Sequence, residues 1–319
     1  VMHSMSEWWM WVVFFLFIGL MLAIDMFVFG GKKAHRVSTK EALTWVIVWV
    51  TLALSFNLLL WFYLLNTTDA ATAHRQALEF FTGYLIEESL SIDNMFIFVM
   101  IFKYFAVPME YQRRVLLFGV IGAIVMRLLL ILLGLWLVNK FHWILYVFGA
   151  FLLFSGIKLF WVAEKEPSLE KNWLLFWMRK HLRITDNFHQ EYFFVKKDNL
   201  FYITPLFLVL VLIEASDLIF ALDSIPAIFA ITDDPFIIFT SNIFAILGLR
   251  AMYFLLANMA DRFHLLKYGI ALILTFVGFK MLIAYWVKIP IFISLGFIVA
   301  TLLMSVLGSL VSKKNNKDV

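Results

Sequence analysis

The chain has 319 residues, of which 63% are hydrophobic and 15% charged, with a net charge of +4 and no cysteine. So few polar side chains cannot clothe a soluble domain, which leaves a polytopic membrane protein. The missing cysteines exclude disulfides, thiolate metal sites and cysteine nucleophiles, and the positive charge lies in connectors, where it carries no signal for nucleic acid.

The apolar runs exceed about 20 residues without alternating, so the fold class is all-α and a strand barrel is disfavoured. Nine spanning helices are expected, at 8–29, 43–65, 78–102, 115–138, 141–163, 201–231, 235–258, 264–287 and 290–311. The first lacks the basic flank and cleavage site of a signal peptide and is expected to stay in the mature protein. With the N-terminus outside, 18 Lys and Arg fall in inside connectors and 3 in outside ones. The positive-inside rule therefore favours an outer N-terminus and an inner C-terminus. The sequence divides into two N-terminal helices (1–77), a three-helix unit (78–163), a cytoplasmic loop (164–200), a second three-helix unit (201–287), and a ninth helix with its tail (288–319). Within the loop, Trp173 to Trp177 beside Arg179, Lys180 and Arg183 suggests an amphipathic helix on the inner leaflet.

The third span carries Glu87, Glu88 and Asp93, and the sixth carries Glu214, Asp217 and Asp223. Each acid at the centre of a span costs roughly 3 kcal/mol to insert, so repeating the cost argues for use. The first acidic segment is followed by Arg127 and by Gly156-Ile157-Lys158, and the second by Arg250 and by Gly278-Phe279-Lys280. Two copies of three spans each must lie upside down relative to one another. That is the inverted-repeat plan of secondary transporters, with its site near the midplane.

Glu87 and Asp93, like Asp217 and Asp223, are six residues apart, which is about 240° on a regular helix. Convergence of these four on one cation requires both helices to break, near Ser91–Asn94 and near Leu222–Pro226. Pro226 removes a backbone donor, while Ser89, Ser91, Asp93 and Asn94 compete for the backbone of the third span. Asn94 and Ser224 lie seven residues beyond Glu87 and Asp217, hence on their faces, and are neutral oxygen candidates. Arg127 and Arg250 are expected to pair with the carboxylates and support them. Lys158 and Lys280 are expected to snorkel, and the seven histidines share no ligand spacing.

An all-oxygen donor set favours Mg2+, Ca2+ or Mn2+ over softer metals. The bilayer and a divalent cation are the expected partners; no organic cofactor, catalytic residue or nucleic acid is expected. With no phosphate-binding loop, energy would come from an ion gradient or the membrane potential. An intramembrane hydrolase using paired aspartates or a catalytic metal is the rival reading, and a membrane protein that docks partners through its 164–200 loop is a third.

Four stretches carry a family resemblance: residues 87–98, residues 214–227, Thr240 to Arg250, and Ala23-Ile24-Asp25. They resemble the TerC-type integral membrane proteins of the wider lysine-exporter superfamily. The resemblance implies a bacterial inner-membrane protein that exports Mn2+, with Asp25, Glu87, Asp93, Glu214, Asp217 and Asp223 as the acids concerned.

Overall fold

The computed structural model describes residues 7–24, 37–162, 172–197, 200–257, 265–284 and 286–315. Ten helices and one hairpin follow in order: α1 (Trp8–Ile24), α2 (Thr39–Thr67), α3 (Ala70–Tyr104), α4 (Met109–Lys140), α5 (Ile144–Val162), α6 (Trp173–His181), β1 (Phe194–Lys197), β2 (Leu200–Ile203), α7 (Pro205–Phe229), α8 (Pro235–Ala257), α9 (Leu266–Ile283) and α10 (Ile291–Asn315). Among the described residues, seven helices are long and apolar enough to cross a membrane: α2, α4, α5, α7, α8, α9 and α10. The described part of α1 is 17 residues long. α3 is a 35-residue helix made less apolar by the polar side chains it carries.

Helix ends follow from local chemistry. Ser38 accepts from the Glu41 amide at 3.2 Å to start α2, and Asp69 accepts from the Thr72 amide at 3.0 Å to start α3. Pro205 opens α7, where its missing donor costs nothing. Asp234 accepts from the Phe236 amide at 2.8 Å to start α8. α3 stops where Ala106 turns left-handed, at φ 49°. There the Val107 amide reaches back to the Phe102 carbonyl at 3.0 Å, a closure that usually employs glycine.

α8 is buried along nearly its whole length and packs against α2, α3 and α4, while α7 packs against α3, α4 and α5. α5 and α9 cross most closely, and glycine permits it. A Cβ on Gly278 would lie 2.5 Å from the Leu153 amide nitrogen and 2.8 Å from the Gly149 carbonyl oxygen, and one on Gly156 would strike Thr275. Both Gly-x-Lys motifs thus place their glycine in a helix contact. Close backbone approach of this kind is how helices associate where no hydrophobic force separates them from lipid.

The connector after α5 folds onto the bundle. Asn172 caps α6 by accepting from the Leu175 amide at 3.1 Å. Leu175 and Met178 are buried, while Trp173, Phe176 and Trp177 are exposed beside Arg179 and Lys180, as an amphipathic helix at an interface requires. β1 and β2 form an antiparallel hairpin that leads directly into α7.

Two expectations are corrected. α3 runs unbroken through Ser91–Asn94, and α7 runs unbroken through Leu222–Pro226. Ser89 and Ser216 satisfy their hydroxyls by donating to the carbonyls of Leu85 and Leu212 in their own helices, so these side chains do not divert the backbone. Pro226 stands in the last turn of α7, and the helix runs on through it to Phe229 without splitting.

Candidate functional site

Because α7 is continuous, Asp217 and Asp223 face different ways, and a single point shared by both is ruled out. What converges is a smaller set. Arg127 on α4, Glu87 on α3 and Asp217 on α7 are only 1%, 2% and 2% exposed. Arg127 Nη1 donates to Glu87 Oε1, to Ser224 Oγ at 2.7 Å and to Asn242 Oδ1 at 2.7 Å. Its Nη2 lies 3.5 Å from Asp217 Oδ1, which also accepts from Asn94 Nδ2 at 3.5 Å.

The seven-residue spacings account for this arrangement. Two helical turns separate Glu87 from Asn94 and Asp217 from Ser224, so each pair shares one face. Glu87 stands level with Ser224, through Arg127, and Asn94 stands level with Asp217. The acidic stretches of α3 and α7 therefore run antiparallel, each opposing its carboxylate to the other's neutral oxygen. α8 closes the set with Asn242, which is fully buried.

Not every polar atom here finds a partner. Asn94 Oδ1, Asp217 Oδ2 and Ser91 Oγ are buried without one, where an unsatisfied group costs about 1–3 kcal/mol. Beside Asp217 lies a crevice of about 10 Å3, lined also by Glu214, Gly119, Ala123 and Leu249. That is about the room one water needs. The Glu214 carboxylate lies against α4 where Gly122 leaves space, and a Cβ at that position would collide with it.

The other predicted residues are distributed elsewhere. Asp223 lies in a separate cavity of about 190 Å3 with Ser155, Lys158 and Phe220, and the Lys158 ammonium acts on it electrostatically. Arg250 does not join Arg127; it lines a crevice with Glu41, Trp45, Trp49 and Arg113 against α2. Asp25 lies outside the described residues, as does the side chain of Asp93. Among the described residues, no three His, Asp or Glu side chains are grouped to hold a metal. Glu87 and Asp217 are supplemented instead by the neutral oxygens of Asn94, Ser224 and Asn242.

Sequence reasoning did not single out Asn242, Gly119 or Gly122. The Thr240-Ser241-Asn242 run within the largely apolar α8 was the available signal for the first, and a Gly-x-x-Gly spacing in α4 for the others. It also passed over Glu79. That side chain is buried near the start of α3, paired with Arg75 at 2.7 Å and accepting from Thr232 Oγ1 at 2.7 Å.

Comparison with known proteins fits a helical membrane bundle. The Integral membrane protein TerC family matches residues 72–317. The chain belongs to the TerC family. Among relatives of this TerC protein, the Alx protein of Escherichia coli (strain K12) is 52% identical over 318 residues, covering 99% of both chains. The Alx protein of Salmonella typhi is 51% identical over 319 residues, 100% of this chain and 99% of its own. Both are labelled by name as membrane-bound redox modulators. An uncharacterized membrane protein of Rickettsia felis is 43% identical over 303 residues, 95% of this chain and 98% of its own. No solved structure matches. This chain is thus a multi-pass integral membrane protein whose relatives are bacterial.

Proposed function

We propose that this TerC protein is a transporter and not an enzyme, and that it exports a divalent cation from the cytoplasm across the bacterial inner membrane. The observation that carries the reading is the buried oxygen set of Glu87, Asp217, Asn94, Ser224 and Asn242, with Asn94 Oδ1 and Asp217 Oδ2 still unpartnered. Carboxylate, amide and hydroxyl oxygens are the donors hard cations take. Mn2+ is the cation that the TerC resemblance implies. Glu214 at the adjoining crevice and Asp223 in its own cavity extend the acids along α7, and Asp25 and Asp93 would complete the route. Ser224 and Arg127 hold the carboxylates in place while no cation is bound.

The topology belongs to the same proposal: nine spans, an outer N-terminus, an inner C-terminus, and two inverted copies formed by α3–α5 and α7–α9. Antiparallel acidic stretches support it, because a two-fold exchange maps Glu87 and Asn94 onto Asp217 and Ser224. So does the packing of α3 on α8, α4 on α7 and α5 on α9, the set such an exchange produces. Metal moves outward in exchange for protons moving inward, since carboxylates alone can trade one for the other. The two-fold pairing of Glu87 and Asn94 with Asp217 and Ser224 favours transport, since a hydrolase needs no duplicated acidic stretch. The redox label of the relatives needs a route other than thiols here, because the chain has no cysteine.

The test is flux. Purified protein in vesicles carrying a Mn2+-sensitive dye should pass Mn2+ when a pH gradient or potential is imposed. Folded, correctly inserted protein that passes none under either driving force would overturn the proposal.

A further inference from the structure

The Arg127 guanidinium occupies the place that the oxygen set offers to a cation. One nitrogen, Nη1, has three oxygens directed at it, from Glu87, Ser224 and Asn242, yet it carries only two hydrogens. Three elements have thus converged on a point of positive charge more closely than hydrogen bonding to that nitrogen can use. A spherical cation accepts any number of oxygens that fit around it. The remaining contacts agree. Nη2 reaches Asp217 only at 3.5 Å, Nε has no partner, and Asp217 Oδ2 and Asn94 Oδ1, both on buried side chains, are left without one.

We propose that Arg127 is a tethered competitor of the transported cation, filling the Glu87–Asp217 oxygen set when the cation is absent and leaving it when the cation binds. The proposal rests on the cation-export reading and deepens it. Charge requires the exchange. Two carboxylates balance one dication, or are partly balanced by one guanidinium, but a dication and a guanidinium together in this volume would place three positive charges against two negative ones. The fully buried position keeps solvent from screening that repulsion. Leaving is feasible because the next carboxylate is adjacent: Glu214 shares the crevice with Asp217 on the α4 side, and α4 is the helix that carries Arg127. The arginine thus sets how tightly the site holds its cation. It keeps the empty carboxylates from being left uncompensated, and on its return it expels the metal.

Arg127→Met and Arg127→Lys, each checked for folding by size-exclusion chromatography, separate this role from a structural one. Equilibrium Mn2+ binding to the purified protein should tighten about tenfold or more in Arg127→Met. It should tighten by less in Arg127→Lys, which keeps the charge on a smaller head. Vesicle efflux turnover should fall in both. Adding millimolar guanidinium to Arg127→Met should weaken Mn2+ binding back toward the wild-type value, with no such effect on wild type. Unchanged or weaker Mn2+ affinity in a folded variant would overturn the proposal, as would failure of both variants to fold even with guanidinium present, since Arg127 would then be structural alone. Wild type that neither binds nor passes Mn2+ would instead overturn the export reading itself.

Discussion

Glu87→Gln and Asp217→Asn differ in a way that separates holding the fold from holding a cation. Glu87 is the closest acceptor of the Arg127 guanidinium. Removing its charge breaks a buried pair, at a cost of about 3–5 kcal/mol, a large part of a total stability of about 5–15 kcal/mol. Asp217 lies 3.5 Å from Arg127 Nη2, beyond a good charged hydrogen bond of about 2.7–2.9 Å. Its Oδ2 has no partner at all. Asp217→Asn keeps the volume and an acceptor oxygen, so its cost in stability should be about 1 kcal/mol. The loss of an anionic ligand to a hard dication should nevertheless cut Mn2+ flux by about 100-fold or more, a loss of about 2.7 kcal/mol in transport barrier. The assay pairs thermal unfolding in detergent with vesicle flux for both variants. Wild-type flux in folded Asp217→Asn, or a stability loss in it as large as in Glu87→Gln, would refute the reasoning.

Three further outcomes follow from other parts of the molecule. Gly122→Ala places a methyl on the Glu214 carboxylate; because that carboxylate ends a flexible side chain, the protein should fold normally while Mn2+ flux falls several-fold, and undiminished flux would remove Glu214 from the route. Gly278→Ala meets the α5 backbone at 2.5 and 2.8 Å, which cannot yield so easily, and unfolding measurements should read a loss of about 1–3 kcal/mol. The Asp69 carboxyl is held below the usual carboxylate range, chiefly by accepting from the Thr72 hydroxyl and amide. Its contribution to the α3 start is therefore complete above the unfolded value of about 3.9 and is lost as pH falls through its lowered value. Protection of the Thr72 amide, measured against its intrinsic exchange rate, should fall across that window in wild type, and this acid-induced change should vanish in Asp69→Ala.

How much of this was legible in the sequence is clearest at α3 and α7. Seven-residue spacings correctly put Asn94 with Glu87 and Ser224 with Asp217, because helical phase depends on the sequence alone. The six-residue spacings require broken helices only if Asp217 and Asp223 serve one point. The structure keeps α7 whole and gives Asp223 its own cavity with Lys158. Polar side chains in α3 do not break it, because Ser89 satisfies its hydroxyl within the helix. The depth of Arg127 in its span correctly assigns it to the acids. The repeat suggests the same for Arg250, which lines a separate crevice with Glu41 and Arg113. No sequence pattern states which of two matching arginines faces the centre. Gly122 and Gly278 show the same limit, since what each glycine accommodates belongs to a neighbouring helix.

The most direct test of the central claim is a structure of the protein grown or soaked with Mn2+, with the metal located by its anomalous scattering. The account predicts one peak within about 2.0–2.6 Å of oxygens from Glu87 and Asp217, with the Arg127 guanidinium withdrawn from Ser224 and Asn242. Mn2+ bound only in the Asp223 cavity or on the surface, with Arg127 still seated between Glu87 and Asp217, would contradict it.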